Sequence, residues 1–82
     1  MENNTTCIFD VNDLKTEMIK STLKDIYSSL TERGYNPVNQ IVGYLISGDP
    51  GFISSYKDAR QKIMSLDRSE IVAVLLEGFI TK

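Results

Sequence analysis

The apolar positions of this chain fall into separate runs, each closed by helix punctuation. Leu14, Met18, Leu23, Ile26, Tyr27 and Leu30 recur at spacings of three to five. That is the period of one helix face, and it predicts a first helix from about Asp13 to Arg33. Asn12 or Asp13 can accept the free amide hydrogens of its first turn, and Glu17 lies where a negative charge suits the helix dipole. Lys15, Lys20 and Lys24 fall mostly beside the stripe, mixed with Glu17, Asp25 and Glu32, and read as a solvated face.

Gly34 to Pro50 is the most heavily marked stretch. It opens with Gly-Tyr-Asn-Pro and closes with Ser-Gly-Asp-Pro. Glycine supplies a left-handed residue that ends a helix, and Asn or Asp before Pro supplies a cap and a first helical residue. A second helix is therefore predicted from Pro37 to Ser47, with a new helical turn at Asp49-Pro50. Val38, Ile41, Val42, Tyr44, Leu45 and Ile46 make that helix apolar around most of its circumference, the pattern of a buried element. Gly43 in its middle costs about 1 kcal/mol relative to Ala. Close approach of another helix and an ordinary glycine are equally open readings.

Ser55 with Asp58 approximates a capping box, so a third helix is expected near Tyr56, with Ala59, Ile63 and Met64 inward. Asp67 with Glu70 repeats the arrangement before Ile71, Val72, Val74, Leu75, Leu76, Phe79 and Ile80, a broad apolar face. The expected fold is all-α, with four to five helices over residues 12–82. Residues 1–11 read as a flexible tail. Asn3, Asn4, Thr5 and Thr6 are poor helix formers, and Ile8, Phe9 and Val11 offer an apolar anchor that can dock on the helical body. An apolar excess in so small a chain points to a homodimer sharing one core.

Composition narrows the function classes. The 82 residues hold no histidine and one cysteine, Cys7. An internal disulfide, a cysteine-rich metal site and histidine acid–base chemistry are thereby excluded. No phosphate-binding glycine loop, zinc spacing or nucleophile elbow occurs. The expectation is a protein that is not an enzyme and takes no cofactor and no metal. No run is long and apolar enough for a membrane span, and the first residues lack signal-peptide character, so a cytoplasmic protein is expected.

Net charge is −2, unevenly spread. Residues 1–13 carry Glu2, Asp10 and Asp13 with no basic residue, whereas residues 14–33 and 56–70 are each slightly positive. A small dimeric DNA-binding regulator is the alternative reading, through Lys57, Arg60, Gln61 and Lys62. That set is thin for a recognition helix, because negative charges are interleaved with it.

The run Gly34-Tyr35-Asn36-Pro37-Val38-Asn39-Gln40-Ile41-Val42-Gly43-Tyr44-Leu45-Ile46-Ser47-Gly48-Asp49-Pro50 closely resembles the signature of the IreB family of regulatory phosphoproteins from Gram-positive bacteria. The likeness continues through Lys57-Asp58-Ala59-Arg60, Leu66-Asp67-Arg68 and Glu70-Ile71, and reaches back to Ile26-Tyr27 and Leu30. It implies a non-enzymatic helical homodimer phosphorylated by a membrane Ser/Thr kinase with PASTA domains and reversed by a cognate phosphatase. It further implies control of cell-wall synthesis and antibiotic tolerance, in some relatives through Clp-dependent degradation of a peptidoglycan precursor enzyme.

The family's acceptor is a threonine just before a short hydrophobic segment. Thr6, ahead of Cys7-Ile8-Phe9, matches it best, and Thr5 is the second candidate. Lys57, Arg60 and Arg68 are the residues expected to receive a phosphorylated tail or a partner. Two departures stand out: Ser54 and Ser55 replace a frequent Pro and basic residue, and Met64-Ser65 replaces a frequent basic run.

Overall fold

A computed structural model describes residues 14–81. Among them are four α-helices, two single 3₁₀ turns and no strand. The order is α1 (Leu14–Glu32), α2 (Pro37–Ser47), turns at Pro50–Phe52 and Tyr56–Asp58, α3 (Ala59–Met64) and α4 (Arg68–Thr81). The described residues are all-α, as their periodicity predicts. The tail, including Thr5, Thr6 and the anchor Ile8, Phe9 and Val11, lies outside the described residues.

α1 is the hub, and α2, α3 and α4 each pack on it. Its buried residues are Thr16, Ile19, Leu23, Ile26, Ser29 and Leu30. The inner stripe thus steps from 16 through 19, 23, 26 and 30, the alternating three-and-four spacing of one helix face. Leu14, Met18 and Tyr27, expected on that stripe, are exposed instead. They lie off the face selected by Ile26 and Leu30, the two most buried apolar side chains of α1. Ile41, Tyr44, Ile53, Ala59, Ile63, Ile71 and Val74 complete the core from the other elements.

The ends of the helices follow their local chemistry closely. α1 closes with Gly34 at φ +92°, while the Gly34 amide donates to Thr31 and the Tyr35 amide to Leu30. This pair of bonds satisfies two of the free carbonyls of the last turn. Asn36 caps α2 by accepting the Asn39 amide at 3.0 Å, with Pro37 at the first position. Gly48 ends α2 at φ +78°, and its amide donates to the Tyr44 carbonyl at 2.7 Å.

The third capping signal fails. Ser55 makes no side-chain capping bond, and helical geometry begins only at Ala59. Neighbouring Ser54 takes over: its amide donates to Gln40 of α2, its hydroxyl accepts the Tyr56 amide and its carbonyl accepts the Arg60 amide. Lys57 and Asp58 then turn through left-handed geometry, φ 51° and 62°. This conformation is unfavourable for side chains other than glycine, and it brings Ala59 and Ile63 into complete burial. Those two positions use up the inward face of the six-residue α3, so Met64, expected inside, is exposed.

α2 and α4 are only half covered. Ile41 and Tyr44 alone are buried in α2, and Ile71 and Val74 alone in α4. Val38, Val42 and Ile46 of α2 are exposed, as are Val72, Leu75, Leu76, Phe79 and Ile80 of α4. The burial expected of α2 on all sides is therefore not reached within one chain.

Gly43 has a specific neighbour. A Cβ there would lie 2.5 Å from Cδ1 of Phe52, whose ring rests against the helix backbone. The Gly43→Ala variant is expected to lose about 1–2 kcal/mol through overpacking, despite its better helix propensity. In a Phe52→Ala background the same change should gain about 0.5–1 kcal/mol. Urea unfolding of the four proteins at one fixed concentration checks this reversal of sign.

Candidate functional site

The three expected receiver residues are each tied to a different element. Arg68, at the start of α4, donates from a guanidinium nitrogen to the Leu45 carbonyl at 3.0 Å. Its head also lies over Gly48, where a Cβ would come within 2.9 Å of Cζ. Arg68 thereby satisfies a free carbonyl at the end of α2, and Gly48 is required there both for its positive φ and for this approach. Arg60 donates from Nε to the Ile53 carbonyl at 2.9 Å, holding the loop between the two 3₁₀ turns against α3. Lys57 pairs with Glu32 at 2.8 Å, near the last turn of α1. Thr5 and Thr6 lie outside the described residues.

Lys57 stands in a cluster of charged and aromatic side chains. Arg33 and Lys57 both approach the Tyr56 ring, 5.7 and 5.6 Å from its centre. Cations over an aromatic face are attracted by its quadrupole. The hydrogen bond and charge of Lys57 hold the Glu32 carboxyl below its ordinary range, and Glu32 in turn raises the Lys57 ammonium above its own. Both side chains are about half exposed, so the pair is screened by water and salt.

A second charged neighbourhood surrounds the first turn of α4. Asp67 Oδ1 accepts the Ser69 amide and hydroxyl at 2.8 and 2.6 Å. These bonds, the hydroxyl first, lower its pKa. Glu70, expected to reach back and complete a capping box with Asp67, instead pairs with Lys15 of α1 at 2.6 Å. That pair ties the starts of the two helices together. Beside this turn lies an open groove of about 590 Å³ lined by Tyr44, Leu45, Leu66, Asp67, Arg68, Ser69 and Val72.

Two apolar hollows flank α1. One of about 350 Å³ is lined by Lys20, Leu23, Lys24, Val74, Leu75, Gly78 and Phe79. The other, about 210 Å³, is lined by Leu23, Tyr27, Val38, Ile41, Val42, Leu45 and Leu75. Leu23 and Leu75 border both. Lys20 and Lys24, expected on a solvated face, stand at the edge of the larger hollow.

The proposed recognition helix is short and its cations are engaged. α3 has six residues, Lys62 pairs with Asp25, and Lys57 and Arg60 hold the contacts already described. No three metal-ligating side chains come together among the described residues. No helix there is long and apolar enough to cross a membrane.

The lowered Asp67 pKa sets the sign of an acid response. A carboxylate held below its unfolded value favours folding above the ordinary carboxylate range and loses that contribution as pH falls through the folded value. Wild type should therefore lose stability relative to Asp67→Asn as pH drops from about 5 to 2. Urea midpoints measured across that range check it, and a relative gain by wild type in acid contradicts it.

A family model described as the IreB regulatory phosphoprotein matches residues 4–81, nearly the whole chain.

Proposed function

The chain belongs to the IreB regulatory phosphoprotein family, and from that premise we propose that it is a cytoplasmic, non-enzymatic switch acting through protein–protein contact. The family match carries this reading, because it spans both the helical body and the threonine-bearing segment ahead of it. In this reading Thr6, with Thr5 as second choice, is phosphorylated by a membrane Ser/Thr kinase with PASTA domains and restored by a cognate phosphatase. The output is control of peptidoglycan synthesis and cell-wall antibiotic tolerance. Its route is Clp-dependent proteolysis of a peptidoglycan precursor enzyme.

The chemistry supports a switch of surface rather than of fold. A phosphate adds about −1.5 to −2 charge to residues 1–13, which already carry Glu2, Asp10 and Asp13 without a basic residue. Such a change alters what a partner meets while leaving the α1 core untouched. Lys57, Arg60 and Arg68 remain the proposed partner-binding residues. Their internal contacts mean that a partner would engage what is left of their hydrogen-bonding capacity.

A homodimer is part of the same proposal. Val38, Val42 and Ile46 of α2 and Val72, Leu76 and Ile80 of α4 leave large apolar side chains in water. A helix apolar on nearly all sides is ordinarily covered, and each such side chain gains about 1.5–3 kcal/mol on full burial. A second copy supplies that cover.

Two measurements test the proposal. Incubation with a PASTA-domain kinase followed by mass spectrometry should place phosphate on Thr6, and undiminished labelling of Thr6→Ala would move the site elsewhere. Light scattering at micromolar concentration should give twice the monomer mass, falling towards the monomer in Leu76→Glu. A monomeric wild type would refute the shared core.

A further inference from the structure

We propose that the hollow between α1 and α4 is a docking groove for an amphipathic helix of a partner protein, with acidic side chains beside its apolar ridge. The groove is separate from Lys57, Arg60 and Arg68, and its occupation does not depend on phosphate at Thr6.

The first observation is a glycine that the fold does not require. Gly78 lies inside α4 without a positive φ, and a Cβ built on it would meet nothing within 4 Å. Glycine is the weakest helix former after proline, so neither backbone geometry nor internal packing accounts for it. Gly43 and Gly48 differ, because Phe52 and Arg68 press on them. The missing side chain instead opens the hollow, where Gly78 stands beside Leu23, Leu75 and Phe79. Bare backbone in a groove wall lets an incoming helix approach closely.

The second observation is charge. The charged residues lining the hollow are Lys20 and Lys24, one helical turn apart on α1. Lys24 makes no ion pair among the described residues, and Lys20 has Glu17 alone, at 3.6 Å. Leu75 and Phe79 across the hollow are 48% and 74% exposed. An apolar floor edged by one sign of charge selects an apolar ligand edged by the other.

The shape selects a helix. The lining runs from Lys20 to Lys24 and from Val74 to Phe79, about 6–8 Å along each helix. That length takes the neighbouring apolar side chains that a helix presents at i and i+3 or i+4. No strand occurs among the described residues, so an extended peptide finds no sheet edge there to pair with. A second copy fits poorly, because a two-fold axis through this hollow would set Lys20 and Lys24 against their own counterparts. The dimer surface proposed above uses other positions of α4, namely Val72, Leu76 and Ile80.

A pair of cross-linked helical peptides tests the groove on the full chain. Both carry the same leucine ridge, flanked in one by glutamates and in the other by lysines. The acidic peptide should bind in fluorescence anisotropy and shift the amides of Lys20 to Lys24 and Val74 to Phe79, and the basic one should not. Gly78→Leu should weaken the acidic peptide about tenfold. The same variant should raise the thermal midpoint, since the new side chain meets open space and favours the helix. Lys20→Glu/Lys24→Glu should reverse the preference between the peptides. Equal affinity for both peptides, no saturable binding of the acidic one at millimolar protein, or shifts centred on another face would overturn the proposal. So would undiminished binding by folded Gly78→Leu, or loss of a dimer in that variant, which would give the hollow to a second copy.

Discussion

The inner face of α1 is the constraint on which everything else depends. Ile19, Leu23, Ile26 and Leu30 form one continuous apolar surface, and the other three helices are each placed by packing on it. Ile26 and Leu30 are essentially sealed from water, as are Ile53, Ile63 and Ile71 opposite. Truncation of any of these to Ala removes packing worth about 2–5 kcal/mol, a large part of the stability of a small domain. A chain this short has one such surface, and it serves to join the helices rather than to cover them completely.

That limited cover leaves much apolar surface in contact with water. α2 and α4 are steered by few buried residues, so their outer apolar positions remain open to water. The polar contacts at their ends then fix orientation: Arg68 ties the start of α4 to the end of α2, and Glu70 ties it to the start of α1 through Lys15. The helical body has a sealed core and apolar side chains left exposed outside it. A regulatory phosphoprotein, the family to which this chain belongs, needs that combination: a modification can change which contacts form without disturbing the body that presents them.

The sequence revealed most where structure is set by near neighbours. Asn36-Pro37 and Gly48 bracket α2 as their chemistry requires, and the α4 cap falls at Asp67. It revealed least where a distant partner decides. Thr16 and Ser29 are buried on α1 without any hydrophobic signal, while Leu14, Met18 and Tyr27 carry the signal and face water. The left-handed turn at Lys57 and Asp58 follows Ser54, whose amide bonds Gln40 fourteen positions earlier, a contact that no local capping rule contains. For the candidate site, the sequence offers Lys57, Arg60 and Arg68 as cations, and their engagement by carbonyls and a carboxylate emerges only in three dimensions.

In the proposed function, phosphate on Thr6 changes the surface of this protein and leaves its α1 core intact. Hydrogen exchange of the full chain, unmodified against Thr6-phosphorylated, tests it most directly. Amides of the core stripe around Ile26, Leu30, Ile63 and Ile71 should exchange at the same rates in both forms, while those of the exposed surface around Lys57, Arg60 and Arg68 should differ between them. Faster exchange through the core stripe, or identical exchange everywhere, would contradict it.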